Sequence, residues 1–223
     1  MRVTLFASTE GRLLGVGLAL TGVMLLAFGI GWQLFPASVP TYAAMTGLNL
    51  VIGRAAGMAF GYASGLGHAQ VIPLNMLVET IQVLVVYPLF VLSWRQLIKL
   101  RTLQPYLTRL HRAAESHGGA VRKFGVTGLF VFVFVPFWMT GPVVGAILGF
   151  LIGLRIWANL AVVLGSTYVA IGVWGLLLNE LSAWAATVNR FAPFALFVAI
   201  ALIAAAMQLL RRRRGHFAHS EGI

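Results

Sequence analysis

Two side chains carry full charges inside otherwise apolar sequence: Arg54, in the middle of residues 43–67, and Glu79, in the long run that Pro73 opens. An ionisable group at membrane depth costs roughly 2.5–3.5 kcal/mol on insertion scales, so its presence asks for a function. Two chemistries follow. Arg54 and Glu79 can form a buried pair that locks a broken segment to the next helix, or they can bind a substrate or carry a proton. These are compatible, because a pair opens when an anionic group competes for the guanidinium. A second group is Pro136, Thr140, Gly141 and Pro142. A helix broken there frees backbone N–H and C=O groups, and a half-helix N-terminus offers amides and a positive dipole end to an anion. Thr140 adds a hydroxyl, while the plainer reading is a proline kink with no ligand. Asn75, Gln82 and Asn159 are uncharged polar groups in apolar runs, more often interhelical hydrogen-bond partners than ligands. Asn75 and Asn159 are kept as candidate binding residues.

Other chemistries lack their residues. The chain has no cysteine and no aspartate, which removes thiolate and disulfide chemistry and aspartate-based metal or phosphoryl-transfer sites. His111 and His117 lie in a basic stretch and His216 and His219 in the tail, none with a carboxylate at ligand spacing, so no metal or other cofactor is expected. There is no Walker A loop, nucleophile elbow or zinc-protease helix, and an enzyme is the weakest reading.

The elements that must position these residues are membrane helices. Of 223 residues 60% are hydrophobic and only 9% charged, against about 25% charged in a soluble domain. The net charge of +11 would suggest nucleic acid in a soluble protein. Here the basic residues sit between and after apolar runs, which points to topology and anionic lipid headgroups and away from nucleic acid. Residues 13–35 make a run of about 35 Å, long enough to cross and too long for a signal-peptide core. Pro36 and Pro40 mark a connection, residues 43–67 are rich in Gly and Ala, and a long run reaches Trp94. Residues 95–123 are polar and basic, with Leu97, Leu100, Leu103, Leu107 and Leu110 at helical spacing and Pro105 dividing them, as in a surface amphipathic helix. Further runs cover 124–153, 156–180 and 191–210, and the chain ends on Arg211 to Arg214 and a short tail.

Six crossings would leave the basic 95–123 segment outside, against the positive-inside rule. Four crossings with 43–67 and 124–153 dipping in and returning put 14 of the 16 basic residues inside, all but Arg54 and Arg190. Gly53 and Gly57 break the first such segment, and Pro136, Gly141 and Pro142 the second. Non-helical backbone survives at that depth only where it is buried or lines a cavity. The expected fold is therefore an all-α integral membrane protein with four transmembrane helices and two re-entrant helical hairpins, six helices being the alternative. It forms a single membrane domain: an N-terminal helix (1–42), hairpin and span (43–97), basic cytoplasmic helix (98–123), second hairpin and span (124–180), last span (189–210) and basic tail (211–223). Gly57, Gly61 and Gly65 recur 84 residues later as Gly141, Gly145 and Gly149, and Asn75 as Asn159, which suggests an inverted repeat. Glycines at this spacing also simply let helices pack closely.

The stretch Phe132-Val-Phe-Val-Pro136-Phe-Trp-Met-Thr140-Gly141-Pro-Val-Val-Gly145 resembles the Phe-Val-x-Ile-Pro-Leu-Pro-Gly-Thr-Gly-x-x-x-Gly motif of the small multidrug export family, relatives of the DedA superfamily. Pro136, Thr140, Gly141 and Gly145 match, with Trp138 and Met139 in place of Pro-Gly. Gly53-Arg54-Ala55-Ala56 is similar to the family's Glu-Leu-Arg-Gly-Ala-Ile-Pro entry, with Ile52 at the acidic position and Met58 at the proline. The resemblance spans roughly 45–180 and implies paired re-entrant hairpins; the missing acid weakens a proton-coupled mechanism unless Glu79 substitutes for it.

The expected function is a transporter of the inner membrane with both termini cytoplasmic, exporting a small solute or drug through a central cavity. Arg54 would bind an anionic or polar group, Glu79 balance it or carry a proton, and Pro136, Thr140 and Gly141 shape the opposite half. The alternatives are a flippase or scramblase for phosphate-bearing lipids, with the basic helix gathering headgroups, and a non-transporting scaffold. Expected partners are anionic lipid headgroups and the small-molecule or lipid-phosphate substrate; a homodimer suits the size, though no residue marks its face.

Overall fold

Ser8 starts the first helix by accepting a hydrogen bond from the Gly11 amide at 3.1 Å, and Glu10 in the first turn complements the helix dipole. The computed structural model describes residues 8–97, 120–134, 141–188, 198–199 and 202. Over these the chain is helical, without strands: α1 Thr9–Leu34, α2 Val39–Val51, α3 Arg54–Ala63, α4 His68–Leu97, α5 Ala120–Phe134, α6 Gly141–Leu151 and α7 Ile156–Val188. Thr9–Leu34, His68–Trp94 and Ile156–Trp184 are long and apolar enough to cross a membrane. They coincide with three of the four expected crossings; the fourth, 191–210, lies outside the described residues, as do residues 98–119 of the basic segment and Arg211 to Arg214. Pro73 does not open its helix: α4 begins five residues earlier, at His68.

The four remaining helices are too short to cross alone. At 13, 10, 15 and 11 residues they reach about 15–22 Å, against about 30 Å of hydrocarbon. They pair instead as two antiparallel hairpins. In the first, a Cβ added at Gly57 would stand 3.0 Å from Asn49 Cβ, and one at Gly61 would stand 2.6 Å from the Met45 sulfur. In the second, Gly125 lies against Ile152 and Gly145 against Leu129 and Val133. Position rises along one helix as it falls along the other. Gly53, at φ 121° and ψ 169°, turns the first hairpin in a conformation essentially restricted to glycine. Gly57, expected as a breaker, lies inside α3 and serves close packing. Gly141 and Pro142 likewise belong to the first turn of α6, where proline needs no amide partner.

The two hairpins correspond at a register of 88 residues, where the sequence suggested 84. α3 and α6 end in the same cap: Gly65 at φ +82° and Gly153 at φ +84°. Leu66 N–H reaches the Gly61 carbonyl and Leu154 N–H the Gly149 carbonyl, each at 3.0 Å, the closing bond of a Schellman motif. Gly57, Gly61 and Gly65 thus correspond to Gly145, Gly149 and Gly153. Asn75 corresponds to Val163, and Asn159 to Val71.

The chain divides into two compact units. In one, the α5–α6 hairpin packs on α7 and on the C-terminal half of α4, around Val83, Tyr87, Val133, Ala146 and Val163. Tyr87 meets Phe150 edge-on with ring centroids 6.5 Å apart. In the other, the α2–α3 hairpin packs on the N-terminal half of α4 and on α7, where Tyr62 lies against Gly175. The pair Tyr62–Gly175 becomes Phe150–Tyr87 on shifting one member by +88 and the other by −88. Each hairpin therefore rests partly on a helix of the other repeat.

Candidate functional site

Arg54 opens α3 immediately after Gly53 and is 2% exposed. Three residues on, Gly57 lets α2 approach, which brings Asn49 within reach of α4. Asn49 Nδ2 donates to Asn75 Oδ1 at 2.6 Å, and Asn75 Nδ2 donates to the Val71 carbonyl at 2.7 Å. One turn before Asn49, the buried Thr46 hydroxyl has no hydrogen-bond partner among the described residues. Asn49 and Asn75 make the contact between this hairpin and α4 polar, and the buried Thr46 and Arg54 lie on the same hairpin. At the base of the same hairpin the Tyr62 hydroxyl and His68 Nδ1 are 2.9 Å apart, with the rings edge-to-face at 5.4 Å and 75°. Tyr62 lies outside the three candidate spans, and burial pushes its phenol up to about 12.

Glu79 is 3% exposed, on α4. It belongs to the other compact unit from Arg54. In that unit Asn159 is fully buried and donates through Nδ2 to the Ala146 carbonyl at 2.7 Å, while its Oδ1 lies against Gly149 with no hydrogen-bond partner among the described residues. Ser166 donates to the Phe130 carbonyl at 2.6 Å, and Thr80 Oγ1 and the Tyr168 hydroxyl lie 2.7 Å apart. Gly141 is buried at the start of α6; Pro136 and Thr140 lie outside the described residues.

Of the expected site, then, Asn75 and Asn159 are both buried hydrogen-bonding groups, in separate units. The sequence reading missed Thr46, Asn49 and the Tyr62–His68 pair. An open groove does occur in the structure, but it runs along α1, lined by Gly22, Leu25, Leu26, Gly29, Ile30 and Gln33, and includes none of the expected site residues.

Arg54 is also where the likeness to known proteins begins. A family model described as "Putative small multi-drug export protein" matches residues 54–173, just over half of the chain. The chain belongs to the small multi-drug export family. The match runs from the first turn of α3 into α7, and so takes in both glycine-capped copies. Three helices of spanning length and membership of an export family together place the protein in a membrane. The match is to the export family itself; it says nothing of the DedA superfamily. Comparison with characterised proteins found no match, and comparison with solved structures found none.

Proposed function

We propose that this member of the small multi-drug export family moves solutes bearing an anionic or polar group, with Arg54 as the contact for that group. The observation that carries this reading is a buried cation at the tip of a helical hairpin too short to cross the bilayer. The α3 first turn contains no acid, and the helix start adds about half a positive charge to the full charge of Arg54. The α2 end contributes only about half a negative charge, part of it taken by the Ile52 and Gly53 amides that donate to the Leu48 carbonyl. In this reading both hairpins re-enter from opposite faces of the inner membrane as an inverted repeat, which the exchanged Tyr62–Gly175 and Phe150–Tyr87 contacts support. A contact between equivalent positions, Thr80 and Tyr168, also supports it. Glu79 supplies balancing charge, Pro136, Thr140 and Gly141 complete the second half, and the basic segments meet anionic headgroups. The lipid-flippase alternative has no observation of its own, since most of the basic segment it relies on lies outside the described residues.

The test is transport by the full chain reconstituted in vesicles. Norfloxacin, whose carboxylate suits Arg54, is the solute probe, and fluorescently labelled phosphatidylglycerol the lipid probe. Export of norfloxacin that is lost in Arg54→Ala and partly kept in Arg54→Lys supports the reading. Lipid movement without norfloxacin movement favours the flippase. No movement of either probe, with Arg54→Ala indistinguishable from the parent, overturns both.

A further inference from the structure

We propose that His68, held by Tyr62, is the proton-binding group that couples a proton to movement of the first hairpin; its role in export rests on the transport reading above.

The two repeats serve as controls for each other. Where they share residues, as at Gly57 and Gly145, Gly61 and Gly149, Gly65 and Gly153, Leu66 and Leu154, the fold requires them. At the register of Tyr62 and His68 the second repeat has Phe150 and Ile156. The same cap and the same helix start therefore form without the polar pair, and its presence in one copy calls for a use other than folding. The pair joins the last turn of α3 to the first residue of α4 across the Gly65–Gly67 turn, the point about which the hairpin would swing on α4.

His68 is half-buried and is the first residue of α4, at the end of its candidate span. With the neutral imidazole in its Nε2–H tautomer, the Tyr62 hydroxyl donates to Nδ1 across the 2.9 Å contact. A proton arriving from water adds to Nδ1, which then donates to the Tyr62 oxygen, and the phenol hydrogen must turn away. That reverses the direction of the bond at the pivot. The phenol, pushed up to about 12 by burial, keeps its proton throughout. Tyr62 is the titratable group in contact with the imidazole among the described residues. Arg54 lies about two turns back from Tyr62 on α3, Glu79 about three turns along α4, and Glu180 five residues beyond Gly175 on α7.

The experiment uses the full chain in lipid nanodiscs, with spin labels on Val51→Cys and Gln70→Cys, two exposed sites in the same compact unit; the chain has no cysteine to remove. Distances are read from about pH 8 to about pH 5.5. The expected result is a shift in the label distance whose midpoint follows the His68 imidazole, read by nitrogen resonance and identified by its loss in His68→Gln. The shift should vanish in His68→Gln. Tyr62→Phe, which installs the residue the other repeat already carries and so retains the fold, should move the midpoint or abolish the shift. An absent shift in the parent, or an equal shift in both variants, overturns the proposal. A shift without norfloxacin export leaves the proton site standing and removes the exporter reading. Norfloxacin export with the same dependence on a pH gradient in the parent and both variants does the reverse.

Discussion

Asn49 on α2 donates its side-chain amide to the Asn75 carboxamide oxygen on α4 at 2.6 Å, and both residues are 1% exposed. This bond ties the first hairpin to the helix that follows it, in surroundings where water cannot replace either partner. Removing one side of this bond leaves a buried polar atom of the other without it, at about 1–3 kcal/mol, whereas the bond itself within a membrane protein contributes about 0.6 kcal/mol on average. Asn75→Val, the residue at this register in the second repeat, should therefore destabilise the chain more than Asn49→Val and Asn75→Val together. Unfolding of the single and double variants in detergent measures the difference; additive losses would show that the two amides do not act as a pair.

Gly149 and Gly22 predict opposite responses to alanine. A Cβ at Gly149 would run into the Asn159 carboxamide and threaten its bond to Ala146, for which about 1–3 kcal/mol of overpacking is expected. At Gly22 nothing stands within 4 Å, so alanine should be neutral or gain up to about 1 kcal/mol from helix propensity. The same unfolding assay on both variants decides, and equal losses at the two sites would contradict the packing described here.

Gly53→Ala should cost about 1–3 kcal/mol through backbone strain alone, because φ 121° with ψ 169° is closed to residues with a side chain. The loss should not depend on Arg54, so Gly53→Ala should lower the unfolding midpoint equally in the parent and in Arg54→Met.

The antiparallel α2–α3 hairpin puts Ser38 and Ser64 at one end. Single cysteines there, Ser38→Cys and Ser64→Cys, should react with a membrane-impermeant reagent from the same side of intact cells if the hairpin re-enters. Labelling from opposite sides would mean that this segment crosses.

Much of this architecture could be read before the fold was known. Long apolar runs and the placement of Lys and Arg led to three of the helices of spanning length and to the two broken segments between them. The repeat register was misread. Glycine recurs at 141, 145, 149 and 153, so the triplet 57, 61 and 65 taken alone matches at an offset of 84 or 88. Gly53 and Leu66 find Gly141 and Leu154 only at 88, and the positive φ of Gly65 and Gly153 agrees with that register. Asn49 and Thr46 escaped notice because an uncharged polar residue in an apolar run carries no signal until the hairpin folds it onto a partner. His68 precedes the apolar run of its helix, and its relation to Tyr62 depends on the turn at Gly65.

The exchange of contacts between repeats bears on how the chain is made. Tyr62 has its seat at Gly175, more than a hundred residues later in the chain. At about 5–20 residues per second of synthesis, the first hairpin waits several seconds or longer for the helix that completes its unit. The α5–α6 hairpin has no such delay, since Tyr87 is already in place when Phe150 emerges. Assembly is thus ordered in time: the half carrying Arg54 is synthesised first and completed last.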